Sequence, residues 1–375
     1  MSWSWTLYRY LARSFLLGFG VVFACFCFLA FSIDIVGLFN ETTAKHVPTA
    51  VLIGMAFLQL PDLAFKLLPF AVLLGAVFAF IRLSRSHELV AIRASGLSAW
   101  NLLAPPLAAA IALGLVSVVA VTPFSSLLLG RYSELEARYL KDQPSQLAVS
   151  RNGLWLRQAA PAGKFQSVEP GEFVRQSVIH ALRVADQGVR LDDVIIFRYG
   201  ERDHFLGRID AQSAKLGTGN WALTNAWVSG TKGRPVHHAS YLIPTSLTPA
   251  RIQESFASPE TMSLWALPGF IQTAQQAGFS ASRYKLYFDT LLVLPALLAA
   301  MIFMAASFSL RLARLGGMGR VVLYSAMAGF GIYFFGNVMQ ALGVSGILPI
   351  PLAAAAPAAV AILLGMTLVF HQEDG

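Results

Sequence analysis

The chain has 375 residues, 56% of them hydrophobic and 13% charged, and a mean hydropathy of +0.60. That balance is wrong for a pair of soluble domains and right for a polytopic membrane protein. The formal charge of +8 comes from arginines at the ends of apolar stretches, not from one basic face, which argues against nucleic acid as a partner.

The first apolar stretch, about Ser14 to Ile35, follows Arg9 and Arg13. It is too long for a signal-peptide core and no small-residue cleavage site follows it, so it is expected to remain as the first span. Cys25 and Cys27 lie within it on different helical faces, which makes them membrane-buried apolar side chains, not a disulfide or a zinc site. The second stretch, about Ala50 to Ile81, would be about 48 Å long as a helix against roughly 30 Å of hydrocarbon. It must tilt, protrude or bend, and Pro61 and Pro69 are the places for a bend. Asp62 and Lys66, four apart, share one face near the outer boundary; they either pair there or leave Lys66 to an anionic headgroup.

Between the second and third spans runs RLSRSHELVAIRASGLS, Arg82 to Ser98. Ser86 is a candidate helix cap, Leu89, Val90 and Ile92 form a short apolar stripe, and Gly96 is a candidate terminator. The segment predicts a short amphipathic helix at about 84–96 that rests on lipid or docks into a partner. A lipid surface alone explains poorly the acidic Glu88 within a basic patch; a soluble subunit accommodates both signs.

A third span is expected at about Leu97 to Pro123, after which the chain changes character. From Gly130 to Pro259, short runs are broken by Gly, Pro, Asn and Asp. Candidate strands are Leu154 to Gln158, Ser177 to Val184, Val194 to Tyr199, Phe205 to Leu216, Trp221 to Val228 and His238 to Ile243. Alternation puts Trp221, Leu223 and Asn225 on one face of the fifth of these. Asn152-Gly153 and the GTGN run from Gly217 to Asn220 are turn signals. The reading is a β-sandwich or jelly-roll module, either an inert spacer or a pair of layers with an apolar groove between them. From Ser263 to Arg283 a helical pattern returns, carrying Leu264, Leu267, Ile271, Ala274 and Phe279 and interrupted by Pro268 and Gly269, as expected of a linking or interfacial helix. Three further spans follow at about Phe288 to Leu310, Arg320 to Leu342 and Ile350 to Phe370.

Arginine placement sets the orientation. With a cytoplasmic N-terminus, the inside ends carry Arg9, Arg13, Arg82, Arg85, Arg93, Arg311, Arg314 and Arg320, and the short outside loops carry only Lys45. Both termini then lie inside, the segment from about Gly130 to Ala281 lies outside, and parity requires six spans. The spans carry no HExxH, GxSxG or paired aspartates, which argues against an intramembrane enzyme. No GxxxxGK[ST] loop is present, and GGMGR at Gly316 to Arg320 lacks the residues that hold nucleotide phosphates and magnesium. Any ATP energy must arrive from another polypeptide.

Several of these residues together resemble the LptF/LptG (YjgP/YjgQ) family of permeases, on its LptG side. They are Arg9-Tyr10, the Leu-Pro pair and Gly75 in the second span, Ser86 to Ser98, Asn152 to Trp155, the tract around Ser282 to Leu286 and the three closing spans. The HELVAIRASG tract in its position between spans two and three is the specific part. The resemblance implies a six-helix membrane protein with a periplasmic β-jelly roll between helices 3 and 4. Its divisions would be transmembrane helices 1–3 at 1–129, the jelly roll at 130–260, a linking helix at 261–285 and helices 4–6 at 286–375.

It further implies a permease subunit of an ABC transporter in the bacterial inner membrane. Lipopolysaccharide would be the cargo, drawn from the outer leaflet into a cavity formed largely by the first and fifth helices. Implied partners are an LptF-type permease, two copies of an LptB-type ATPase that use ATP and Mg, an LptC-type single-span protein and an LptA-type periplasmic bridge. This chain itself would hold no catalytic, cofactor or metal residue. By resemblance Glu88, Leu89, Ile92 and Arg93 belong to a coupling helix that enters the ATPase, Lys45 and Lys66 are candidate headgroup contacts, and Phe31, Phe330 and Phe334 are candidate cavity lining. Where family members place lysines at the outer end of the first helix, this chain has Asp34, Asn40 and Glu41, so phosphate recognition is weaker, located elsewhere or matched to an unusual lipid A. The competing reading is a membrane anchor whose outside module binds a protein without moving lipid.

Overall fold

The computed structural model describes residues 5–42, 47–88, 91–92, 98–140, 147–150, 153–159, 174–185, 189–200, 204–231, 234–245, 247, 258–276, 280–312 and 318–373. The chain divides into two compact units: Met1–Leu140 with Pro259–Leu264 and Ser282–Gly375, and Lys141–Ser258 with Trp265–Ala281.

Among the described residues of the first unit, six helical segments are long and apolar enough to cross a membrane. They are α1 (Trp5–Thr42), α2 (Thr49–Arg85), a composite of α3 (Ala99–Val116), a π turn (Ser117–Val121) and α4 (Thr122–Tyr139), then, after the short α5 (Leu267–Gln276) of the other unit, α6 (Ser282–Leu312), α7 (Met318–Val344) and α8 (Ile350–Glu373). The wide turn in the third span precedes Pro123, which has no N–H to donate and whose ring would crowd the carbonyl of Val119 in a regular helix. Thr122 satisfies part of the opened backbone, its hydroxyl donating to the carbonyls of Val118 at 2.7 Å and Ser117 at 3.0 Å. The third span therefore runs well beyond the expected end at Pro123. α2 stays helical through both Pro61 and Pro69 for 37 residues.

Packing within this unit is unequal. In the most apolar stretches of α2 and α6, 61% of residues are buried, against 22% in α7 and 6% in α1. α6 owes its central place to small residues, Ala299, Ala300, Ala305, Ala306, Ser307 and Ser309, all buried, which let neighbours approach from several sides. α1 lies along α2, and the two backbones meet at Gly18 and Gly75. A Cβ at Gly18 would stand 2.6 Å from the Gly75 carbonyl oxygen, and one at Gly75 would stand 2.5 Å from the Phe19 Cα, so only glycine permits this approach.

Among its described residues the second unit has seven strands in one antiparallel sheet: β1 (Leu147–Ser150), β2 (Gly153–Ala159), β3 (Gln176–Ala185), β4 (Arg190–Tyr199), β5 (Phe205–Leu216), β6 (Asn220–Gly230) and β7 (Val236–Pro244). Each strand pairs with the next in the chain. The GTGN turn closes as expected, with the Gly217 N–H donating to the Asn220 carbonyl at 2.8 Å and Gly219 at φ +77°.

The two layers expected of a sandwich come from this single sheet. Leu191 and Val194, three apart on β4, are both buried, although strict alternation would put them on opposite faces. The same reset occurs between Ala211 and Ala214 on β5 and between Leu223 and Ala226 on β6. At each reset the two intervening residues are the less buried ones, and the row Arg183–Asp192–Ser213–Thr224–Ser240 runs in register straight across β3 to β7. Two outward residues in succession mark a corner, so this row is a crease. Asp193 and Asn225, each next along its strand to a member of this row, have φ +55° and +51°. Asn225 therefore leaves the face that Trp221 and Leu223 occupy, contrary to the simple alternation read from the sequence. The two leaves share one apolar core, in which Trp221 is completely buried.

Helix α5 packs on this core through Phe270, Ile271 and Ala274. Pro268 stands in its first turn, where a missing N–H costs nothing, instead of interrupting it.

Candidate functional site

α2 ends where His87 adopts φ +57°. Ser86 belongs to that ending and not to the start of the next helix, since its hydroxyl donates back to the Arg82 carbonyl at 3.1 Å. A new helical turn begins at His87, whose carbonyl accepts from the Ala91 N–H at 3.1 Å. Glu88 and Ile92 lie in it, both half-buried, while Leu89 and Arg93 fall outside the described residues. The Glu88 carboxylate is held by α1: the Tyr10 hydroxyl donates to Glu88 Oε2 at 2.7 Å. A bond to an ionised acceptor is among the stronger kinds. Only the adjacent Arg9-Tyr10 motif hinted at it.

Of the six spans, α1 and α7 are the least covered, followed by the third span and α8. α7 buries only Val321, Ser325, Gly329, Ile332, Gly336 and Gly343, a stripe at helical spacing. Its opposite side carries Leu323, Met327, Phe330, Phe334 and Val338, with Phe330 at 63% and Phe334 at 62% exposure. On α1 the middle is similarly open, at Leu17, Val21, Phe28 and Ile33. Phe31 lies elsewhere: its ring meets Phe57 of α2 at 4.7 Å and joins the cluster of Leu38, Leu52, Met55 and Ala56. Lys66 makes a 2.7 Å ion pair with the buried Asp62. Lys45 is outside the described residues. A crevice of about 100 Å³ between α2, α6, α7 and α8, lined by Phe70, Met301 and Ile332 with Thr290, Asn337 and Gln340 as its polar members, was not anticipated from the sequence.

The inner face of the sheet is arranged in rows. Leu154–Ala181–Val194–Ala211–Ala226 and Leu156–Ile179–Ile196–Ile209–Val228 are apolar throughout. The next row toward the rim is Gln158–Ser177–Arg198–Gly207–Gly230. Gln158, Ser177 and Arg198 are all buried, Arg198 completely. Gln158 accepts a 2.6 Å bond from the Thr245 hydroxyl, which follows β7. Among the described residues Arg198 has one long bond, from Nη2 to the Ser229 carbonyl at 3.4 Å, while Nε and Nη1 have no partner there. Burial pushes the guanidinium below its ordinary pKa, yet an arginine stays charged. An uncompensated buried charge costs several kcal/mol. Position gave the only clue: Arg198 continues the period of Val194 and Ile196.

Against this geometry, residues 9–370 match the family model for the lipopolysaccharide export system permease LptF/LptG. The chain is similar to the lipopolysaccharide export system permease protein LptG of Escherichia coli K12, 25% identical over 320 residues that cover 81% of each chain. It is also similar to the protein of that name from Haemophilus influenzae, 22% identical over 313 residues and 82% of each. Six apolar spans with a sheet unit inserted between the third and fourth, matched over nearly the whole length, place the chain in the LptF/LptG family of lipopolysaccharide export permeases.

Proposed function

We propose that this chain is the LptG-type half of an ATP-driven exporter that takes lipopolysaccharide from the outer leaflet of the inner membrane and passes it along the sheet unit toward the outer membrane. The observation that carries the reading is the uncovered apolar side of α1 and α7, the first and fifth spans. An LptF-type permease facing those helices would complete a cavity between the two subunits, with Phe330 and Phe334 on its wall. The half-buried Phe31 would brace that wall from behind. Acyl chains that leave the bilayer must stay shielded, since each exposed methylene costs about 0.8 kcal/mol. The shared core of the two leaves is the apolar surface available for the next stage.

Energy enters from the cytoplasmic side. Glu88, Leu89, Ile92 and Arg93 form the coupling segment that docks into one of two LptB-type ATPase subunits, where ATP and Mg are used; this chain hydrolyses nothing. Both termini are cytoplasmic and the sheet unit is periplasmic, where an LptC-type protein and an LptA-type bridge receive the lipid. Lys66, held by Asp62, and Lys45 would be the headgroup contacts.

A photo-crosslinker at Phe334 in the reconstituted complex is expected to capture lipopolysaccharide, with a yield that changes on ATP addition. Capture of proteins alone would overturn the reading in favour of an anchor. Glu88→Arg is expected to leave membrane insertion intact, release the ATPase on purification and abolish coupled hydrolysis. Unchanged co-purification and hydrolysis would remove Glu88 from the coupling role.

A further inference from the structure

The apolar rows of the sheet unit leave the charge of Arg198 unexplained. This guanidinium lies at the rim end of the inner face, one row beyond Ile179, Ile196 and Ile209. Its neighbours in register are Ser177 on one side and Gly207 on the other, with Gly230 beyond. The glycines are part of the arrangement. Gly207 has φ +140°, and a Cβ there would collide with the Ser229 carbonyl oxygen, which accepts from the arginine. Any side chain at Gly207 would stand between the guanidinium and β6. Nε and Nη1 are two adjacent donors of a planar fork, the pattern that fits two oxygens of one phosphate or carboxylate.

We propose that Arg198 is an anion-binding residue inside the sheet unit, and that Nε and Nη1 take two oxygens of a phosphate or carboxylate group seated in the polar rim row. The site stands on the geometry alone. The choice of a lipid headgroup over a free anion as its source rests on the export reading above. The guanidinium is completely buried, so the occupant enters when the rim, closed by the Thr245–Gln158 bond, opens. The row then works as a charged stop at the end of two apolar rows: acyl chains slide over the inner Leu, Ile and Val side chains, and the anionic group registers against Arg198.

The test uses the full chain in its purified complex, with thermal unfolding and binding read for wild type, Arg198→Met and Arg198→Lys. The probes are diphosphorylated lipid A, the same lipid with its phosphates removed, and inorganic phosphate. Wild type is expected to gain several degrees more with the diphosphorylated lipid than with the dephosphorylated one, whose acyl chains alone meet the membrane cavity. Arg198→Met is expected to be at least as stable as wild type without ligand, because a buried charge has been removed, and to lose that phosphate-dependent difference. Arg198→Lys, which keeps the charge but not the fork, falls between them. A response to inorganic phosphate alone keeps the anion site and removes the lipid as its source. An Arg198→Met protein that is several degrees less stable or fails to fold, with Arg198→Lys binding the lipid as tightly as wild type, overturns the proposal. So does a difference between the two lipids that all three proteins show in full.

Discussion

The Tyr10 hydroxyl and the Glu88 carboxylate, 78 positions apart in the chain, meet at 2.7 Å. The bond ties the first turns of α1 to the turn that follows α2, so a displacement of the Glu88 segment acts on α1 directly. Tyr10→Phe removes the donor and keeps the ring. Such a bond contributes on the order of 1 kcal/mol at a partly exposed site. We expect normal insertion and continued ATP hydrolysis, with lipid released per ATP reduced at least twofold in proteoliposomes. A ratio equal to wild type would show that the bond transmits nothing.

The Gly18–Gly75 contact leaves no space for a side chain. Gly75→Val forces the α1 and α2 backbones apart, an overpacking cost of about 1–3 kcal/mol or more. The unfolding midpoint of the detergent-solubilised complex is expected to fall, and the amount of protein in the membrane with it. Gly20→Val, where a Cβ meets nothing within 4 Å, is the matched control and should leave both unchanged.

At the crease, Asn225 holds φ +51° and donates to Gln212 at 2.7 Å. Valine in the left-handed region is strained by roughly 1–2 kcal/mol, whereas glycine adopts it freely. Asn225→Val is therefore expected to lower the stability of the sheet unit and Asn225→Gly to leave it within about 0.5 kcal/mol, by hydrogen exchange of the β5 and β6 amides. Equal protection in both variants would mean that the crease does not depend on this residue.

Lys66 is the partner of a buried carboxylate. Lys66→Met leaves Asp62 uncompensated at a cost of about 1–3 kcal/mol, so protein level and export should both drop. Removing the acid as well, in Asp62→Asn with Lys66→Met, is expected to restore the level. If export returns with it, the lysine serves the pair; if export stays lost at normal protein level, it serves the headgroup.

The membrane spans were legible because length and hydropathy report them directly, and six of the seven strands because period-two runs between Gly, Pro and Asn breaks are a local signal. β1, four residues long, carries too little pattern to stand out. The crease was not legible. Asp193 and Asn225 are ordinary outward polar residues by type, and only the burial of the residues on both sides shows that the alternation restarts there. For the site, the charge of Glu88 marked its segment as special. Tyr10 as its partner, and Arg198 as an unpaired cation inside a core, depend on pairings between distant strands and helices that no local pattern encodes.

α1 and α2 touch at Tyr10 and the Glu88 turn, again at Gly18 with Gly75, then at Phe31 with Phe57, and last at Leu38 with Leu52 and Met55. With backbone against backbone at the glycines there is no cushion of side chains to absorb slip, so the hairpin behaves as one stiff strut through the thickness of the bilayer. On the export reading proposed above, a push at the Glu88 end of this hairpin would be passed on to its far end. Flaws anywhere along that seam should therefore surface as wasted fuel, even where neither nucleotide nor lipid ever touches the altered residue.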